Sequence, residues 1–401
     1  MHFRLSTLAF PLLLMAPFAA AQQPAADPAA PFFPVMAWDG PPNDLAVLKE
    51  MRECGINVAG FVPVAALDNC QAAGLKAIVT DARVTGYDWA SVDAAAAREK
   101  VKSLVAECRN HPAVYGYHLR DEPVAGWFPG LAAVSDAVKE FHPGAWPYIN
   151  LFPNYANASQ LGAANYDEYV DKFIEVCQPP VISYDHYALL EGGGFRPEYW
   201  ANLKSVRRAA LEHNLPFWQI TLANACLSYR PVSLADFRFQ VYTSLAYGAK
   251  GLAWFKYFSA PVGNFREGPI DQFGHKTPTW DSMRFVNLQI EKLAPTLLKL
   301  TSNEVYHFGD VPPGANGPPA ASLVTAIAGP MLVGDFTHED GARYVMIVNK
   351  DFNASTVCFP QFRTPPKALE MVSPYTGALT PYEGEHVWLA PGQGVLLKLT
   401  L

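Results

Sequence analysis

Between residues 32 and 300 short apolar runs alternate with amphipathic stretches eight times, and no other feature limits the fold as tightly. The runs fall at 33–38, 58–62, 76–81, 114–119, 147–151, 181–184, 217–222 and 252–255. Asn43 or Asp44 caps the first intervening helix, which buries Leu45, Leu48 and Met51 and stops at Gly55. A later helix sets Val101, Leu104, Val105 and Cys108 at i, i+3, i+4 and i+7, and a closing one aligns Val286, Ile290, Leu293 and Leu297. Eight strand-then-helix units of this length predict a (β/α)8 barrel over 32–301. An open doubly wound sheet needs a phosphate-binding glycine loop after its first strand, and Asp39-Gly40-Pro41-Pro42 is not one.

The rhythm changes near 302. A Pro/Gly-rich linker is expected at 309–319, followed by short strands at 323–327, 331–336, 343–349, 355–359 and 394–399. Tyr344, Met346 and Val348 alternate with Val345, Ile347 and Asn349, and Glu339-Asp340-Gly341 reads as a hairpin turn. A small all-β sandwich, 302–401, packed on the barrel is the expectation.

Residues 1–21 read as a signal peptide: a basic start at His2 and Arg4, an apolar run through Leu12, Leu13, Leu14 and Met15, and small residues at Ala19, Ala20 and Ala21. Residues 22–31 form an Ala/Pro/Gln linker, and no later stretch is a membrane span, so the expected location is secreted or periplasmic. Export permits disulfides, but the six cysteines read as buried thiols, with Cys54–Cys70 the one pairing considered. The net charge is −7 and basic residues do not cluster, which argues against nucleic acid. Only 17% of residues are charged and 13% are aromatic, a balance suited to neutral ligands with apolar and polar faces, such as sugars. The sequence sets no oligomeric state.

Barrel sites lie at the carboxyl ends of the strands. The residues there are Trp38 and Asp39, Asp81, Arg120-Asp121-Glu122-Pro123, Asn150, Asp185-His186-Tyr187, Gln219, and Trp254 with Lys256. Carboxylates supply acid, base and nucleophile, amides fix hydroxyls, and aromatic faces stack on pyranose rings. Trp89 and Trp127 fall in loops and are candidate cleft residues. Metal ligands at working spacing and a G-x-S-x-G elbow are both lacking, so no metal, no cofactor and no serine nucleophile is expected.

The stretch from His111 through Asp121-Glu122-Pro123 resembles the fourth strand of clan A glycoside hydrolases, where an Asn-Glu-Pro step carries the general acid/base. The resemblance makes Glu122 the acid/base and puts Asp121 where the clan has a sugar-binding Asn. It implies a Trp under the reacting sugar, a place for Trp254, and Asp185-His186-Tyr187 is similar to a region after strand six of cellulase-like members. The clan's nucleophilic Glu on strand seven is missing, and Gln219 stands near its place. Asp185 is the preferred second carboxylate. Glu191, Glu267 or Asp271 from a loop is another, and substrate assistance or loss of the group a third. The expectation is a hydrolase of O-glycosidic bonds in a polysaccharide or oligosaccharide, with a non-hydrolytic glycan-binding barrel as the alternative.

Overall fold

A computed structural model describes residues 32–38 and 40–401, the side chain of Glu385 excepted. The signal and linker expected over 1–31, and Asp39, lie outside the described residues. Eight parallel strands close a barrel in sequence order: β1 (Val35–Ala37), β2 (Val58–Val62), β3 (Lys76–Val79), β4 (Val114–Asp121), β5 (Trp146–Leu151), β6 (Ile182–Asp185), β7 (Phe217–Leu222) and β8 (Gly251–Phe255). β8 pairs back onto β1.

The surrounding helices are α1 (Leu45–Glu53), α2 (Leu67–Ala72), α3 (Ala82–Thr85), α4 (Ala94–Cys108), α5 (Phe128–Phe141), α6 (Ala158–Leu161), α7 (Tyr166–Cys177), α8 (Tyr199–Glu212), α9 (Leu234–Ala246) and α10 (Pro278–Leu297). Of the two cap candidates Asp44 does the work, accepting from the amides of Ala46 and Val47 at 2.7 and 3.3 Å. No helix among the described residues is long and apolar enough to cross a membrane.

Both faces of a barrel strand are buried, one toward the axis and one toward the helices. Met36, Val58, Ile78, Tyr148, Trp218, Ile220 and Ala253 fill the axis. Tyr115, Trp146 and Trp218 close its amino end, with ring centroids 4.8 Å apart for Tyr115–Trp146 and 5.2 Å for Trp146–Trp218. Gly251 is the space into which the Trp218 indole fits, since a Cβ there would overlap the ring. Gly251→Ala is therefore expected to cost about 1–3 kcal/mol by overpacking, read as a lower midpoint of denaturant unfolding; an unchanged midpoint would show that the indole has room.

After α10 the chain enters β9 (Leu300–His307), then β10 (Val324–Ala326), β11 (Met331–His338), β12 (Arg343–Asn349), β13 (Thr356–Val357), β14 (Gln361–Phe362), β15 (Ala368–Val372), β16 (Leu379–Pro381), β17 (Trp388–Leu389) and β18 (Gly394–Thr400). Six of these make an antiparallel sheet in the order β16-β15-β18-β12-β11-β9, and β10–β14 and β13–β17 form two ribbons. The alternation read in β12 is realised: Tyr344, Met346 and Val348 join the main core, whereas Val345 and Ile347 face a second core with Val324, Cys358 and Leu389 of the ribbon segments. The sheet meets α9 closely because Gly334 has no Cβ to strike the carbonyl of Ala246. The fold is thus a (β/α)8 barrel followed by an all-β region. The stretch 309–319 lies inside the β region, between β9 and β10, not ahead of its first strand. All six cysteines are buried free thiols, and Cys54 and Cys70 do not pair.

Candidate active site

The Asp121-Glu122 step is shaped by two backbone irregularities. A register shift in β4 pairs His118 with Tyr148, Arg120 with Ile149 and Asp121 with Asn150. Strict alternation would put Arg120 on the inward face with His118; the extra residue turns Arg120 outward and Asp121 inward. Glu122 then takes φ 45°, a left-handed conformation rare for glutamate, while its amide donates to the carbonyl of Asn150 at 2.9 Å. Such backbone costs roughly 1–3 kcal/mol and persists where the surroundings enforce it. It aims the Glu122 side chain across the mouth of the barrel toward Asp185 at the end of β6, close enough for each carboxyl group to shift the other's titration.

Asn150 organises the acids. Its Nδ2 donates to Asp185 Oδ1 at 2.9 Å and to Asp121 Oδ1 at 3.1 Å. Its orientation is fixed from below, because Ser183 Oγ donates to Asn150 Oδ1 at 3.0 Å and is itself 2.8 Å from the Tyr148 hydroxyl. Asn150 is 1% exposed, Ser183 0% and Asp185 4%, so this ladder is dry.

Burial, then the charge of Asp121, pushes the Glu122 carboxyl up to about 7, partly offset by its hydrogen bond with Asp185. Burial, then Glu122 and Asp121, raises Asp185 well above the usual carboxylate range, with the Asn150 amide opposing. Two neighbouring carboxylates, both raised, resist ionising together, which favours a proton kept on the pair as pH approaches 7. Asp121 is raised too, chiefly by desolvation. It is nevertheless open to the groove, where water screens its charge.

Aromatics line the mouth. Trp38 stands edge-on to Phe61 at 4.6 Å, with His118 and Tyr148 beyond it at 6.1 and 6.0 Å. Tyr187 stacks on Phe255 at 5.1 Å and meets Tyr229 at 5.4 Å; besides burial, the charges of Asp185, Asp121 and Glu122 raise its hydroxyl pKa. Beside Glu122 a groove of about 540 Å3 runs past Arg120, Asp121, Trp127, Phe152 and Gln160. A second cavity, of about 490 Å3, opens at the opposite end of the barrel against Trp146, Trp218 and Lys250, away from the acids.

The structure thus brings together Glu122, Asp185, Asp121, Asn150, Trp38 and Tyr187. Other candidates turn away. Trp254 points into the helical layer, donating from Nε1 to Asn287 at 2.9 Å and packing on Phe237; the inward aromatic of β8 is Phe255, joined to Lys256 by a cis peptide bond. Gln219 faces α9, where the Ser244 hydroxyl donates to its Oε1 at 2.6 Å. Asp81 caps α3 and grips Arg83 at 2.9 Å, which reaches on to Glu107 of α4. His186, opposite Asp185 in the alternation, is buried edge-on to Tyr155 and Tyr199, and burial drops its pKa to about 3, so it is neutral. Lys256, by contrast, follows β8 at the mouth of the barrel, 5.7 Å from the Phe265 ring. Trp89 is core, 4% exposed, whereas Trp127 does border the groove.

None of the three loop alternatives replaces Asp185. Glu191 pairs with Arg266 at 2.5 Å, Asp271 accepts from the amides of Phe273 and His275, and Glu267 is exposed. Phe61, Tyr148, Ser183, Tyr229 and Phe255 were not singled out from sequence. Tyr148 and Ser183 are legible in hindsight, each standing two residues before an inward polar group, Asn150 or Asp185. Among the described residues one cluster has metal-ligand spacing, Asp171–Glu212–His213, and it lies outside the barrel, where Asp171 and Glu212 both bind Arg208.

No protein-family model and no curated protein sequence matches this chain. Solved structures do. A glycoside hydrolase family 5 protein from Bacteroides vulgatus ATCC 8482 superposes with TM-score 0.59 at 10% identity over 92% of this chain and 90% of its own. A structure described as a glycoside hydrolase gives 0.56 at 11% identity, covering 92% and 93%. The beta-galactosidase of Marinomonas ef1 gives 0.51 at 12% identity over 65% of this chain, which spans 60% of that enzyme. At these identities the likeness is one of fold: the architecture is a (β/α)8 barrel shared with these glycoside hydrolase structures.

Proposed function

We propose that the protein is an exported glycoside hydrolase acting on a polysaccharide or oligosaccharide, with Glu122 and Asp185 as its working pair. The observation that carries this reading is the convergence of two acids, half-buried Glu122 after β4 and buried Asp185 on β6, at the carboxyl end of the barrel, both raised above the usual carboxylate range. Glycoside hydrolysis needs one carboxyl group protonated and one ionised at the same pH. When a glycosidic oxygen replaces Asp185 as the partner of Glu122, the proton goes with Glu122 as donor. Asp185 is left ionised, with the Asn150 amide donating to it, ready to attack the anomeric carbon or to activate water. Trp38, Tyr187 and Phe255 offer ring faces to the sugar.

One observation favours the second reading, a barrel that binds glycans without cleaving them. The nucleophilic acid that clan A hydrolases carry at the end of strand seven is missing here, since β7 (Phe217–Leu222) ends without a carboxylate. Under the hydrolase reading Asp185 on β6 supplies the second acid instead. The test is purified protein against a panel of aryl glycosides and polysaccharides. Turnover with a bell-shaped pH profile supports the hydrolase; binding by calorimetry without turnover supports the alternative.

A further inference from the structure

We propose that the groove beside Glu122 is a subsite for a pyranose bearing an anionic group, carboxylate or sulfate, held by Arg120 on Trp127. The inference takes its place along the substrate from the hydrolase reading, but the binding it describes does not require cleavage.

Arg120 is in an unusual position. It adjoins two acids in sequence and pairs with neither. Asp121 points to the barrel axis and accepts from Asn150, and Glu122 is engaged with Asp185. Among the described residues Arg120 makes no ion pair, and its Nε is buried without a hydrogen-bond partner. Its guanidinium lies 4.9 Å from the Trp127 ring centroid, an arrangement that covers one face of the planar group and leaves its edge N–H donors directed sideways. Phe152, Ser159 and Gln160 wall the same groove.

A stacked guanidinium with uncommitted edge donors suits bidentate capture of a carboxylate or sulfate ester, and Trp127 and Phe152 give the ring an apolar surface beside it. Asp121 borders the same groove, but its Oδ1 is engaged by the Asn150 amide at 3.1 Å, which partly offsets its repulsion of an anion held by Arg120. A neutral sugar would leave the arginine uncompensated in a concave wall, and the observations therefore favour an anionic residue.

The experiment is calorimetric binding to the full chain carrying Glu122→Gln, so that no ligand is consumed. The probes are tetrasaccharides of glucuronic, galacturonic and mannuronic acid, their carboxyl-reduced counterparts, and sulfated galactose tetrasaccharides. At least one anionic probe is expected to bind tighter than its neutral counterpart, with affinity falling as salt rises. Arg120→Met should weaken that probe by about 10- to 100-fold, and Arg120→Lys should restore part of the loss as a point charge without the fork. Equal binding of charged and neutral probes, an undiminished preference in Arg120→Met, or no binding by any probe overturns the subsite. The wild-type chain separates the two ideas: turnover of neutral substrates without anionic preference rejects the subsite alone, and anionic binding without turnover rejects the hydrolase alone.

Discussion

Glu122→Gln is expected to lower kcat by about 10²- to 10⁴-fold on any substrate whose leaving group is a sugar hydroxyl, the range for losing a positioned general acid. The amide keeps the size of the side chain and can still hydrogen-bond Asp185, but it has no proton of suitable acidity to give. An aryl glycoside with an acidic phenol needs less protonation at the departing oxygen, so its loss should be smaller. Asp185→Asn should impair both substrate types alike, because the group that attacks or activates water is needed whatever departs. The two acids act as a unit, so the double variant should be little worse than the more damaging single one. Steady-state kinetics on a matched pair of disaccharide and aryl substrates reads all of this. An active enzyme whose kcat is unmoved by Glu122→Gln would remove the mechanism.

The same pair should make the wild-type protein less stable as pH rises. The Glu122 carboxyl is raised from its ordinary 4.5 to about 7, and Asp185 is raised as well. The folded state therefore binds protons more tightly than the unfolded one. The stabilisation is fully present below the unfolded carboxylate values, near pH 4, and is lost as pH climbs through 7. The full shift at Glu122 would correspond to about 3 kcal/mol, and its partial exposure brings the expected contribution to on the order of 1–2 kcal/mol. Glu122→Gln removes the titration, so this variant should unfold at a higher denaturant concentration than wild type at pH 8 and lose that advantage at pH 5. A variant that is catalytically dead yet more stable at alkaline pH marks two acids placed together at a cost to folding. Identical pH–stability curves for the two proteins would mean that the carboxyl groups do not share a proton.

The sequence by itself determined the layers and the location of the chemistry. Eight apolar runs between helical stretches match a barrel, the lack of a phosphate-binding glycine loop argues against an open sheet, and barrels place polar residues from several strand ends around one mouth. That suffices to gather Asp121-Glu122, Asn150 and Asp185, and the alternation through Tyr344 to Asn349 likewise announces a two-sided antiparallel sheet. Tertiary structure decided which way each side chain faces. Both faces of a barrel strand are apolar and buried, so the pattern that tells inside from outside in a half-exposed sheet is absent here. Gln219 and Trp254 thus read as mouth residues and prove to face Ser244 and Asn287 in the helices. In β4 one inserted residue reversed Arg120 and Asp121, and a left-handed Glu122 completed the turn toward Asp185. Neither irregularity has a local signal, because each is enforced by neighbouring strands and by Asn150, whose approach depends on the closing of the whole barrel.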